Sequence, residues 1–128
     1  MTESELKNRT KQFALRVIKL VNSLPNTAAG RAIGSQLVRS GTSVAANYRA
    51  ACRGRSKAEF IAKLGTVEEE SDECCLWLEL IIESKLMEEK LVASLLKEAD
   101  ELTAIFVASR ISAKQNKEIA KRQSQIAN

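Results

Sequence analysis

A chain of 128 residues with 45% hydrophobic and 28% charged side chains is long enough for one domain with its own core and too apolar to be disordered. One Pro, five Gly and 4% aromatics argue against the turns and aromatic pairs of an all-β fold. The net charge of +4 leaves room for a polyanionic partner.

No apolar run approaches the roughly 20 residues that span a bilayer, so no membrane role is expected. The acidic start Met1-Thr2-Glu3-Ser4-Glu5 does not read as a secretory signal. Cys52, Cys74 and Cys75 each sit in an apolar helical pattern, which fits a reducing cytoplasm.

The predicted fold is all-α: an antiparallel up-and-down four-helix bundle over residues 1–113, followed by a polar basic tail, 114–128, expected to fray. Helix one is predicted from about Glu3 to Ser23. Thr2 and Glu5 have capping-box spacing, and Leu6, Thr10, Phe13, Val17, Leu20 and Leu24 form one stripe. Pro25 stops it. Helix two is predicted from about Thr27 to Arg53, with Ile33, Leu37, Gly41, Val44, Tyr48 and Cys52 as its stripe. Its many Gly and Ala residues permit close approach to a neighbour. The run Ser40-Gly41-Thr42-Ser43 is poor helix material, and a bend or loosened turn is expected there.

Ser56 and Glu59 make a second capping box ahead of the cleanest stripe: Phe60, Leu64, Val67, Ser71, Cys74, Leu78 and Ile81. Helix three should end near Ser84–Leu86. Helix four is predicted from about Glu88 to Ala113, with Leu91, Leu95, Leu102, Ile105 and Ser109 as its seam. The connections of a few residues force neighbours to run antiparallel.

Catalytic chemistry is hard to find. There is no His, which removes the commonest base and metal ligand. Glu69 and Glu73 stand one turn apart but lack the histidines of a di-metal carboxylate site. Cys74 and Cys75 point about 100° apart on a helix and cannot share one ion. Gly30-x-x-x-Gly34 lacks the Lys-Ser/Thr of a phosphate loop. A non-enzyme is expected, with no cofactor, metal or small-molecule substrate.

Charge is segregated. From Leu6 to Ala58 there are eleven Lys or Arg and no acid; from Glu59 to Glu101 there are thirteen acids. Arg39, Arg49, Arg53, Arg55 and Lys57 are candidates for binding phosphate, which the planar Arg fork suits. The same residues have an alternative use as ion-pair partners of Glu69, Glu70, Asp72 and Glu73. Scarce aromatics disfavour base stacking, so binding would be electrostatic. Ser40, Ser43 and Asn47 are polar candidates that more simply satisfy backbone around a weak turn. Apolar pairs such as Ile81-Ile82, Leu95-Leu96 and Ile105-Phe106, with Trp77 off its seam, suggest either a homo-oligomer or a broad core.

The run Leu37 to Ile61, containing Arg39-Ser-Gly-Thr-Ser-Val-Ala-Ala-Asn-Tyr-Arg-Ala-Ala-Cys-Arg-Gly-Arg-Ser-Lys-Ala-Glu-Phe60, with Glu68-Glu-Glu-Ser-Asp-Glu-Cys-Cys-Leu-Trp-Leu78, resembles the 23S rRNA intervening-sequence proteins. The likeness spans roughly residues 6–112 and extends to accessory proteins of diversity-generating retroelements. It implies a four-helix protomer, a homopentamer, a role in binding RNA or DNA, and no enzymatic activity. By position, its hallmark residues would be Ser40, Ser43, Asn47, Arg49, Arg53, Arg55, Ser56 and Phe60. Where many members read Asn-x-Ala-Glu-Gly, this chain reads Asn47-Tyr48-Arg49-Ala50-Ala51 and lacks the carboxylate. The competing reading is a protein-interaction scaffold with no nucleic-acid role.

Overall fold

In the computed structural model, which describes residues 1–127, four helices follow in order: α1 (Glu3–Asn22), α2 (Ala28–Cys52), α3 (Lys57–Glu83) and α4 (Glu89–Ala127). The first three start at hydroxyl caps, Thr2, Thr27 and Ser56. Thr2 and Glu5 exchange reciprocal bonds of 3.1 Å, the expected capping box. At α3 the box is shifted by one residue. The Ser56 hydroxyl accepts from the Glu59 N–H at 3.1 Å, but the Glu59 carboxylate reaches the Arg55 N–H at 3.2 Å. The α3–α4 turn is closed by Lys85 at φ 62, a left-handed position where Gly is usual.

Short loops make neighbours antiparallel. α1 packs on α2, α2 on α3 and α3 on α4, while α4 meets α1 along a looser seam. The starts of α1 and α3 therefore lie at the same end of the bundle as the finishes of α2 and α4.

The core follows the helical stripes. α1 buries Leu6, Thr10, Phe13, Val17 and Leu20; α3 buries Leu64, Val67, Ser71, Cys74, Leu78 and Ile81. Tyr48 and Phe106 meet across the bundle with ring centroids 5.5 Å apart. The α4 seam differs from the sequence reading by a shift of frame. Leu91 is 61% exposed, and Val92, Leu95, Ala99, Leu102 and Phe106 are buried instead. Both frames contain Leu95 and Leu102. The frame built on Leu91 would turn Glu98 inward, whereas Glu98 in fact faces α1 and binds Arg9.

α2 is not interrupted at Ser40–Ser43; it is one continuous helix. The Ser40 and Thr42 hydroxyls donate back to the Gln36 and Val38 carbonyls at 3.0 and 2.7 Å, so they are satisfied within the helix. Gly41 provides closeness rather than flexibility. A Cβ there would lie 2.8 Å from a methyl of Val17, and one at Gly34 would lie 3.2 Å from Val21. The small residues of α2 thus let α1 settle directly on its backbone.

α4 also does not stop near Ala113. It continues to Ala127 through most of the segment expected to fray, whose last residue, Asn128, lies outside the described residues. The reason is local: residues 114–127 contain no Gly or Pro and are rich in Lys, Gln, Ala and Arg, all good helix formers.

Two glycine substitutions should have opposite signs. Gly41→Leu forces bulk against Val17 and should cost about 1–3 kcal/mol or more. Gly65→Ala meets only the Arg110 Cδ at 3.9 Å and should gain about 0.5–1 kcal/mol of helix propensity. Urea unfolding checks both, and a neutral Gly41→Leu would contradict the close α1–α2 contact.

Candidate nucleic-acid interface

The acid-poor half of the chain uses some of its arginines on the acid-rich half. Arg9 of α1 donates to Glu98 at 2.6 and 2.8 Å and to Glu101 at 2.7 Å, tying the loose α1–α4 seam. Arg39 of α2 bridges Glu70, at 3.2 Å, and Glu73, both on α3. Glu73 also accepts from the Trp77 indole at 3.2 Å. Arg110 of α4 holds Glu68 of α3 at 2.5 Å. In all three cases hydrogen bonding to carboxylate raises the guanidinium pKa, the mark of a charged form held by its partners.

Of the five cations singled out in the sequence, Arg39 is thereby a helix clamp. The other four differ. Arg49, Arg53, Arg55 and Lys57 are exposed, and none makes an ion pair among the described residues. Glu69 and Asp72, offered as their alternative partners, pair with none of them. Arg49 and Arg53 share one face of the last α2 turns; Arg55 and Lys57 follow across the loop. The positive end of α3 begins at the same place.

The fold adds cations that sequence spacing did not assign. Arg49 stands on a groove of about 430 Å³ between α1 and α2 together with Lys7 and Lys11. Its floor is small: Ala14, Thr42, Ala45 and Ala46. Lys7 also meets Glu3 at 3.2 Å, an exposed pair of little energetic weight. The i, i+4 spacing of Lys7 and Lys11 was visible in the sequence, but which helix they face depends on the packing.

The hallmark polar residues serve the scaffold. Ser40 is fully buried, donates to Gln36 and accepts from the Cys74 thiol at 3.3 Å. Asn47 donates to the Ser43 carbonyl at 2.9 Å, and Ser56 caps α3. The apolar pairs proved to be mainly core. Ile81, Leu95 and Phe106 are buried, with Trp77, Ile82, Leu96 and Ile105 packed against them. The large apolar residues left exposed include Leu15 and Ile18 on α1 and Leu76 and Leu80 on α3.

The adjacent cysteines diverge, Cys74 to Ser40 on α2 and Cys75 to Asp100 on α4 at 3.2 Å. Burial pushes both thiols up to about 12, with the Asp100 contact adding to Cys75. A thiol raised from 9.0 stays neutral in the fold. Its contribution to stability is full below pH 9 and is lost as pH rises toward 12. Stability should therefore fall across that window, less steeply in Cys74→Ala. At pH 8, a thiol reagent should modify half-buried Cys52 first and the other two only on unfolding. Rapid native labelling of Cys74 would contradict this.

Comparison with known proteins follows the same outline. No curated protein matches the chain. A crystal structure of a protein of unknown function from the S23 ribosomal protein family of Bacteroides thetaiotaomicron superimposes with a TM-score of 0.77 and 29% identity, covering 86% of this chain and 98% of that one. The family model for the 23S rRNA-intervening sequence protein matches residues 2–108, which takes in all four helices up to the last buried turn of α4. On that match, the chain belongs to the 23S rRNA-intervening sequence protein family.

Proposed function

We propose that this protein is a non-enzymatic, homo-oligomeric bundle that binds RNA or DNA through the cations at the α2–α3 end. The observation that carries the reading is the division of labour among the arginines. Arg9, Arg39 and Arg110 hold helices together, while Arg49, Arg53, Arg55 and Lys57 stay exposed and unpaired among the described residues. An ion-pairing role would explain only the first set. The second set matches phosphate in charge and, for the arginines, in hydrogen-bond geometry. With one Trp, one Tyr and three Phe in the chain, of which Phe13, Phe106 and Tyr48 are buried, base stacking has few donors. Contacts would be to backbone, and the ligand would be read by shape.

Assembly is the second half of the proposal. Leu76 and Leu80 lie one turn apart on the outside of α3, and Leu15 and Ile18 on the outside of α1. Covering them with further copies removes apolar surface from water. A pentamer, the stoichiometry the family resemblance suggests, would have a mass of about 70 kDa against 14.1 kDa for the chain. The alternative, a protein-interaction scaffold with no nucleic-acid role, draws on the same exposed leucines.

Fluorescence anisotropy with a structured rRNA fragment and with duplex DNA, over a range of salt, tests the reading. Saturable binding should weaken steeply with salt. In Arg53→Gln/Arg55→Gln the slope of log K against log salt should shrink by about 2, roughly one per lost phosphate contact. Unchanged affinity and slope in that variant would remove this patch as the site. No binding at low salt would leave the scaffold.

A further inference from the structure

The family match ends at residue 108, yet α4 continues without a break to Ala127. This extension has a composition unlike the rest of α4. Residues 114–127 carry Lys114, Lys117, Lys121 and Arg122 against one acid, Glu118, whereas residues 89–113 carry Glu89, Glu98, Asp100 and Glu101 against Lys90, Lys97 and Arg110. The sign of the helix thus reverses where the family match stops.

The cations are also arranged. Lys114, Lys117 and Lys121 follow i, i+3, i+7 spacing, which places them on one face. That face adjoins the start of α3: Lys114, Lys117 and Glu118 line a shallow recess together with Ala58 and Ile61. Lys57 and Arg55 immediately precede Ala58 in the chain. Every residue from Lys114 to Ile126 is exposed, and none of the four cations makes an ion pair among the described residues. Favourable placement of charge at a helix C-terminus accounts only for the last turn, and Lys114 and Lys117 lie well before it.

We propose that the α4 extension is an arm of the nucleic-acid interface, whose lysine row continues the Arg53–Lys57 surface and holds the phosphodiester backbone of a double helix. This rests on the function proposed above and deepens it. The lysine row is about 10 Å long at 1.5 Å per residue, a length of duplex that carries about six phosphates. Lysine, a point charge on a flexible stem, suits contact with such a backbone without a fixed register. The second face of the extension carries Ile119 and Ile126, seven residues apart and exposed at 51% and 85%. These contribute nothing to phosphate binding, and they identify the rival use of the arm, contact with a second copy.

The test compares the full chain with Lys114→Gln/Lys117→Gln/Lys121→Gln and with a chain ending at Ala113. Each is titrated against a duplex RNA and a duplex DNA of equal length over a range of salt, and its mass is measured by sedimentation. Gln retains the helix and removes only charge. The expected result is binding by the full chain, a salt slope smaller by about 2–3 and at least a tenfold weaker affinity at low salt in both altered chains, with the number of subunits unchanged. The two duplexes decide whether RNA or DNA supplies the phosphates. If the full chain binds and both altered chains bind equally well, the arm is overturned while the Arg53–Lys57 site stands. A truncated chain that binds normally but assembles into fewer subunits would assign the arm to subunit contact through its isoleucines and would also overturn the proposal. No binding by the full chain would remove both readings.

Discussion

Arginine–carboxylate pairing between helices is the interaction on which this structure turns. The chain places nearly all its acids in one stretch, Glu59 to Glu101, and leaves the stretch from Leu6 to Ala58 with none. Such a chain gains by folding the basic half against the acidic half. Arg9 and Arg39 do so at the α1–α4 and α2–α3 seams, and Arg110, from the stretch beyond Glu101, adds a third pair at α3–α4. Half-buried pairs of this kind, still open to solvent screening, add modest stability one at a time. Their value lies in orientation, because each of the three joins one specific pair of helices. The fourth seam, α1–α2, has no ion pair across it among the described residues and is closed by the glycine face against Val17 and Val21.

The same segregation explains why cations are left over. Once the inward-turned acids are matched, cations outnumber the carboxylates left at the α2–α3 end, where Glu59 bonds the Arg55 N–H, and Arg49, Arg53, Arg55 and Lys57 face solvent. Up-and-down topology concentrates the effect. It brings the starts of α1 and α3 to this end, each with partial positive charge, beside the arginine-rich finish of α2 and the lysine-rich finish of α4. The field there is the sum of side chains far apart in sequence, which is how a net charge of only +4 is concentrated into a predominantly positive end.

Much of the fold was legible because the code for a bundle is local. The caps at Thr2 and Ser56, the stop at Pro25 and the stripes of α1 and α3 follow from residues within a few positions of each other. The errors arose where neighbours decide. The α4 seam depended on Glu98 answering Arg9, some ninety residues away. The weak helix formers Ser40-Gly41-Thr42-Ser43 remain helical because Val17 needs the space at Gly41 and the hydroxyls bond backwards. α4 runs past the polar segment expected to fray because polar and helix-forming are compatible properties. At the candidate site, spacing found Arg49, Arg53, Arg55 and Lys57 but could not separate Arg39 from them, since its partners Glu70 and Glu73 lie on another helix. Nor could it bring in Lys7, Lys11 or the lysines of α4, which reach this end only through the packing.

The claim at the centre of the account is that one end of the bundle, and not its charge at large, meets nucleic acid. Lysine-acylation footprinting read by mass spectrometry tests it most directly, comparing free protein with protein saturated by a duplex. Protection is expected at Lys57, Lys114, Lys117 and Lys121, with Lys19, Lys85 and Lys90 at the opposite end as reactive as before. Protection spread evenly over both ends, or confined to the opposite one, would contradict it.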